Sequence, residues 1–188
     1  MATTLEGKKV LILSTNYGTE TSELLNPLEY LREHGAQVTV AAPQISPIQT
    51  LEGDKEPGAT LGPDITLADA NPADYEAVVV PGGTLNADAL RVDADAQRIV
   101  QGFANNGKVV ASICHGPWLL INAGIAGGKT LTSYPTISTD LVNAGATWVN
   151  QEVKLCRANG YRLITSRSPQ DLAAFDRAIA DELTHADA

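Results

Sequence analysis

The ten residues Lys108-Val109-Val110-Ala111-Ser112-Ile113-Cys114-His115-Gly116-Pro117 leave this chain few ways to fold. Val109, Val110, Ala111 and Ile113 make a short apolar run, the pattern of a strand covered on both faces. The run stops at Cys114 and passes at once into Gly116-Pro117. Glycine there permits close backbone approach, and proline suits the first turn of a helix, where its missing N–H is not needed. Trp118 to Ile121 carry the helix to Ala123, and Gly124 stops it. Such a corner pushes its apical side chain out of the sheet, into the crevice at the carboxyl ends of the strands where open α/β sheets bind ligands. The helix N-terminus adds free N–H groups and a positive dipole end, both of which favour thiolate over thiol. A free cysteine is also commonly a small buried hydrophobe, but its place at the corner favours the functional reading.

Bulk properties narrow the classes of partner. The 188 residues suffice for one domain spanning 1–188, with a core over about 8–183. A net charge of -9 argues against a sequence-independent nucleic-acid binder, because phosphate contacts need a basic face. No apolar run has transmembrane length, so no membrane partner is expected. Met1 to Glu6 lack the basic region and apolar core of a signal peptide, and the 2 cysteines form no CxxC pair. Both features point to a reducing cytoplasm. With only His34, His115 and His185 present, no His/Cys cluster has metal-ligand spacing, so no metal is expected; a carboxylate-only site is left open. Neither GxxxxGK[ST] nor GxGxxG after a strand occurs, so no nucleotide cofactor is expected.

Taken in order, Lys8 to Ser14 read as the first buried strand, followed by a polar loop, Thr15 to Thr19. Thr21 or Ser22 is placed to cap a helix whose apolar positions are Leu24, Leu25, Leu28 and Leu31, starting near Ser22 or bending at Pro27. Glu23 then lies in the first turn, where the plain reading is a solvated carboxylate favoured by the helix dipole. Val38 to Ala42 make a second strand. From Pro43 to Pro63 the period weakens into a surface excursion, with short strands around Ile48 and Ile65. Ala77 to Val80 lead into Pro81-Gly82-Gly83, where glycines can bring backbone N–H groups close to a ligand. Asp93 to Asn106 form a helix, Thr130 to Thr132 a short strand, and Ser138 caps a helix through Ala144. Val153 to Cys156 and Tyr161 to Thr165 flank Asn159-Gly160, a hairpin signal that makes Cys156 structural. Pro169 opens a last helix with Leu172, Phe175, Ile179 and Leu183 on one face; the tail beyond, with His185, is expected to fray. The alternation predicts an α/β, doubly wound sandwich, mostly parallel, with helices on both faces of the sheet and a nucleophile elbow.

Several segments together resemble the PfpI family, the intracellular protease I and general stress proteins of the class I glutamine amidotransferase-like superfamily. They are Ser-Glu-Leu-Leu-Asn-Pro around Glu23, Val-Val-Val-Pro-Gly-Gly at 78–83, Ala-Ser-Ile-Cys-His-Gly-Pro at 111–117 and Leu-Thr-Ser-Tyr-Pro at 131–135. Asn-Ala-Gly-Ala-Thr-Trp-Val at 143–149 and Thr-Ser-Arg-Ser-Pro-Gln-Asp-Leu at 165–172 extend the likeness, which runs from Lys8 to Leu183.

The resemblance implies a flavodoxin-like fold with Cys114 as nucleophile and Glu23 as the carboxyl group hydrogen-bonded to its sulfur. It implies an oxyanion hole from the Gly83 and His115 amides, His115 as general base or acid, and Asp88 reaching His115 from an adjacent protomer of a homodimer or larger homo-oligomer. The loop Thr15 to Glu23 is about one residue longer than the family pattern, so Glu20 competes with Glu23. No histidine lies between His115 and His185, so glutaminase chemistry is not expected. The implied function is cysteine-dependent stress protection: hydrolase, glyoxalase or deglycase chemistry on a small carbonyl compound, its adducts or a peptide, without a cofactor. The alternative is a redox sensor or holdase chaperone with an oxidisable cysteine.

Overall fold

The structure, a computed structural model, describes residues 4–185. In chain order its elements are β1 (Lys9–Leu13), β2 (Tyr17–Glu20), α1 (Thr21–Glu33), β3 (Gln37–Ala42), β4 (Ile48–Glu52), β5 (Glu56–Leu61) and β6 (Ile65–Thr66). There follow β7 (Ala77–Val80), α2 (Thr84–Arg91), α3 (Ala94–Asn105), β8 (Val109–Ile113), α4 (Trp118–Asn122) and β9 (Thr130–Leu131). The chain ends with α5 (Ser138–Asn143), β10 (Thr147–Trp148), β11 (Val153–Cys156), β12 (Arg162–Ser166) and α6 (Leu172–His185).

The main sheet has seven strands in the order β11-β12-β8-β7-β1-β3-β6, all parallel except β11, which pairs antiparallel with β12. Alternate residues of its strands face two apolar layers. Leu11, Leu13, Val78, Val80 and Val110 pack toward α3, while Val10, Ile12, Val79, Ala111 and Ile113 pack toward α1 and α6. A continuous apolar strand is what a sheet covered on both faces requires. With the two-residue edge strand β6 set aside, β3, β1, β7, β8 and β12 are the second, first, third, fourth and fifth parallel strands along the chain, the flavodoxin-like order. The strand order reverses between β1 and β7, which places the ligand crevice at their carboxyl ends.

Local reading erred where distant segments decide the structure. Tyr17 to Glu20 form β2 instead of a loop, because β4 arrives from the excursion to pair with it. With β5, these strands make a separate three-stranded sheet beside the crevice. Neither Thr21 nor Ser22 caps α1. The helix begins at Thr21, whose hydroxyl is spent on the Leu51 carbonyl (3.1 Å) and the Thr50 hydroxyl (2.9 Å) of β4. Ser138 likewise is the first residue of α5 and not its cap. The stretch after Gly83, to which the sequence pattern assigned no element, is α2. The last helix continues to His185 and does not fray at Leu183; the tail beyond it lies outside the described residues. The hairpin holds: Asn159 and Gly160 have φ of 57° and 81°, the left-handed pair that such a turn demands. No helix among the described residues is long and apolar enough to cross a membrane.

Candidate active site

Cys114 is the apex of the β8–α4 corner, with φ at +62°, a left-handed conformation costly for any residue but glycine. Two bonds hold it there. Its N–H donates to the Ser166 carbonyl at the end of β12 (3.1 Å), and its carbonyl accepts from Tyr134 N–H (2.8 Å). The side chain is turned toward the ends of β1 and β7.

Glu23, in the first turn of α1, is fully buried rather than solvated. Its Oε2 accepts from Gly82 N–H at 2.7 Å. Oε1 completes no hydrogen bond of regular geometry, although the Cys114 thiol is near enough to act on the carboxyl as a donor. Burial pushes Glu23 up to about 8, against the pull of the Gly82 amide and the thiol, so it is largely protonated at neutral pH. The packing explains the Pro-Gly-Gly turn. A Cβ on Gly82 would lie 2.5 Å from Glu23 Oε2 and 2.7 Å from Cys114 Cβ, and Gly83 has φ +81°. Pro27 bears on the same spot: without an N–H it leaves the Glu23 carbonyl, four residues back, without its helical donor.

Burial and the neighbouring Glu23 charge push the Cys114 thiol well above its ordinary range, whereas the Gly83 and His115 amides, both directed at the sulfur, pull it down. The Glu23 contribution requires an ionised carboxylate. With Glu23 protonated that repulsion vanishes, and its O–H is free to donate to sulfur.

His115 places Nδ1 3.2 Å from Cys114 Sγ. Its ring stacks on Tyr134 (centroids 4.7 Å apart) and meets Trp118 edge-on at 5.3 Å. Burial lowers its pKa, with Asp54 opposing, which keeps the imidazole neutral near pH 7. Among the described residues the Nε2 side meets the Thr136 hydroxyl, at 3.5 Å, and hydrogen-bonds no carboxylate. Together with Glu20, Asp54, Thr84 and Pro169, these groups line a crevice of about 350 Å³. Among the described residues, no three His, Cys, Asp or Glu side chains are grouped so as to hold a metal ion.

A sequence model of the DJ-1/PfpI family matches residues 8–182. The chain belongs to the DJ-1/PfpI family. It is 37% identical over 171 residues to General stress protein 18 of Bacillus subtilis, covering 91% of this chain and 95% of that one. It is 37% identical to Protein/nucleic acid deglycase 2 of Escherichia coli, covering 90% and 94%. Drosophila melanogaster DJ-1beta superposes with a TM-score of 0.82 at 31% identity, covering 94% of this chain and 90% of that one.

Within this DJ-1/PfpI chain the competing carboxylates separate. Glu23 lies against Cys114, while Glu20 stands in the crevice wall, half-buried, its Oε2 accepting from Gly53 N–H (3.0 Å). Asp88 is not brought to the site; it lies on the exposed face of α2, three residues after exposed Leu85.

Two supporting residues escaped the sequence reading. Asn86 is fully buried in α2 and accepts from Thr15 N–H and its hydroxyl, both at 2.8 Å. It donates to the Gly82 carbonyl at 3.0 Å, which fixes the peptide that carries the Gly83 N–H. A polar residue beside Ala87 and Leu90 on the inward face of a helix was the available signal. Asp54, at φ +62° in the β4–β5 turn, accepts from the Thr84 N–H (2.9 Å) and hydroxyl (2.6 Å), pinning that turn over the crevice. Nothing local marks it.

Proposed function

We propose that this chain is a cysteine-dependent stress-protection enzyme of deglycase type, acting on small reactive carbonyl compounds or their adducts with amino acids and peptides. One observation carries the reading: a buried, protonated carboxyl, two backbone N–H groups and a neutral imidazole converge on one sulfur at a strained corner. Relatives named as deglycases and general stress proteins support the same class. Both cysteines are free thiols, which supports a reducing compartment such as the cytoplasm.

Sulfur has more donors than the carboxyl group has, so the single negative charge of the Cys114–Glu23 pair rests on sulfur, with the proton on Glu23. The thiolate attacks the carbonyl carbon. An S–C bond forms, and the carbonyl π pair moves to oxygen, where the Gly83 and His115 amides receive it. Glu23 protonates that oxygen. For a dicarbonyl, the neutral His115 ring then removes the proton from the carbon bound to sulfur and returns it to the adjacent carbon, while the new hydroxyl gives its proton back to Glu23, which passes it to the adjacent oxygen. The resulting thioester is hydrolysed by water to a hydroxy acid and free thiol. For an adduct held as a hemiaminal, the C–N bond breaks as the S–C bond forms, the amine leaves with the proton from Glu23, and the hemithioacetal left on sulfur is isomerised and hydrolysed in the same way.

Among the described residues His115 hydrogen-bonds no orienting carboxylate, and this supports a role for Asp88 from a second protomer. Exposed Leu85, Tyr17 and Val92 on that side of the molecule suit an interface with another copy.

The test is a panel of methylglyoxal, glycated N-acetyl amino acids and peptides, run beside a Cys114→Ala control. Turnover of the carbonyl substrates that vanishes in the control is the expected result. Equal rates in both proteins would overturn the reading, and aggregation suppression that survives Cys114→Ala would favour a holdase.

A further inference from the structure

Beyond Tyr134 the catalytic crevice continues into a second cavity of about 480 Å³ that the chemistry above does not use. Its walls include Thr136, Asn150, Arg167, Ser168 and Gln170, with Tyr134 common to both spaces. The two spaces differ in charge. Glu20, Glu23 and Asp54 line the crevice around Cys114, and no lysine or arginine does. Arg167 is the one cationic side chain among the residues lining either space.

Arg167 is held as a rigid donor. Nε and Nη2 grip the two oxygens of buried Asp171, each at 2.9 Å, and Nη1 donates to Asn150 Oδ1 at 3.0 Å. A guanidinium has five N–H groups, so one on each terminal nitrogen is left over. The ion pair is neutral in sum, but Arg167 lines the cavity and Asp171 does not, so the cationic member of the pair is the one on the ligand space. Beside it, the side chains of Gln170 and Ser168 make no hydrogen bond within the described residues. Groups already fixed in place bind a planar anion without further ordering cost.

We infer that the Arg167 cavity is a subsite for the α-carboxylate of an amino-acid-borne adduct, with the carbonyl-derived end at Cys114. This deepens the proposed function and rests on it for the order of the two ends. A substrate with a cationic or neutral adduct and an anionic tail matches the polarity of the cleft, acidic around Cys114 and basic beyond Tyr134. A free dicarbonyl would leave the subsite empty.

Binding can be read without turnover. Nα-acetyl-L-arginine and its carboxamide are titrated calorimetrically into the Cys114→Ala protein, then into the same protein carrying Asn150→Asp. That exposed change keeps an acceptor oxygen for Arg167 and adds a negative charge beside it. The acid should bind about fivefold or more tighter than the amide, the size of one charge-assisted contact, and Asn150→Asp should erase the preference. Equal affinity of acid and amide, no detectable binding of either, or a preference untouched by Asn150→Asp would overturn the subsite. So would tighter binding of a nucleoside monophosphate than of the acid. Should the acid bind as expected while the wild-type enzyme turns over no adduct, the reading of the chemistry fails and the subsite stands.

Discussion

Cys114 and Cys156 are the two free thiols of the chain, and their surroundings differ in an instructive way. Cys156 ends β11, half-buried. Burial works against its thiolate, but the Thr130 and Ala158 amides and the Lys129 and Lys154 charges outweigh it and hold the thiol below its ordinary range. Its sulfur accepts from Thr130 N–H at 3.4 Å. Cys114 is deeper and burdened by a carboxyl neighbour. Acidity taken residue by residue would therefore choose Cys156, which the sequence had marked as merely structural. What Cys114 has is a crevice, two amides directed at its sulfur, and an acid able to share a proton with it. The proposed function rests on that set, and a lowered pKa alone would not support it.

The largest expected effect tests that contrast directly. Cys114→Ala should lower carbonyl-substrate turnover by about a thousandfold or more, the scale of losing a covalent nucleophile, while Cys156→Ala should stay within about twofold. Steady-state kinetics of the two variants decides it, and a matching loss in Cys156→Ala would erase the distinction.

Next in size is the role of the shared proton. Glu23→Ala should slow alkylation of Cys114 at neutral pH by about tenfold to a hundredfold, the effect of one to two pKa units on thiolate population. Cys156 should be untouched, and Glu20→Ala should leave Cys114 nearly unchanged. Rates followed by peptide mass spectrometry check this; equal slowing by Glu20→Ala would move the role to the crevice wall.

The third test asks whether the Cys114 site is completed by a partner, as that of Cys156 need not be. Cys114→Ala and Asp88→Ala proteins, each inactive, should regain about a quarter of wild-type activity after subunit exchange. In a random two-fold mixture, half the dimers are mixed and each has one complete site. Sedimentation must show the exchange. No recovery despite exchange would leave Asp88 a surface residue.

Much of this was legible in the chain. The elbow, the Pro-Gly-Gly turn and the parallel strands were readable because burial on both faces and tight turns impose residue types locally. Glu23 read as a solvated carboxylate from its own helix; only the family likeness placed it at the sulfur, because its burial depends on Gly82 arriving from β7. β2, Asp54 and the donors around Cys156 were invisible for the same reason. β2, the Asp54–Thr84 tie and the Thr130 and Lys129 groups beside Cys156 are each made by a segment distant in sequence, and no periodicity within the segment records it.

The smallest effect concerns stability. Glu23 binds its proton more tightly folded than unfolded, since its pKa rises from 4.5 to about 8 on burial. Its contribution is therefore complete below about pH 4.5 and is lost as the pH rises through 8. Asp176 on α6, raised by burial from 3.8 to about 7, acts with the same sign over a lower window. In an Asp176→Asn background, Glu23→Gln should flatten a fall in unfolding free energy of at most about 1.4 kcal/mol per pH unit. Cys156→Ser should leave that slope alone. Urea midpoints between pH 4 and 9 give the answer, and an unchanged slope in Glu23→Gln would mean that Glu23 is ionised in the folded protein.

The central claim is that the Cys114–Glu23 pair keeps its proton on the carboxyl and its charge on sulfur. The most direct measurement is the pH profile of iodoacetamide labelling, resolved for each cysteine, from pH 5 to 11. The account predicts that Cys114 labels with a midpoint below the ordinary thiol range, and that Glu23→Ala raises this midpoint. A Cys114 that stays unlabelled to pH 10 while Cys156 reacts would contradict it.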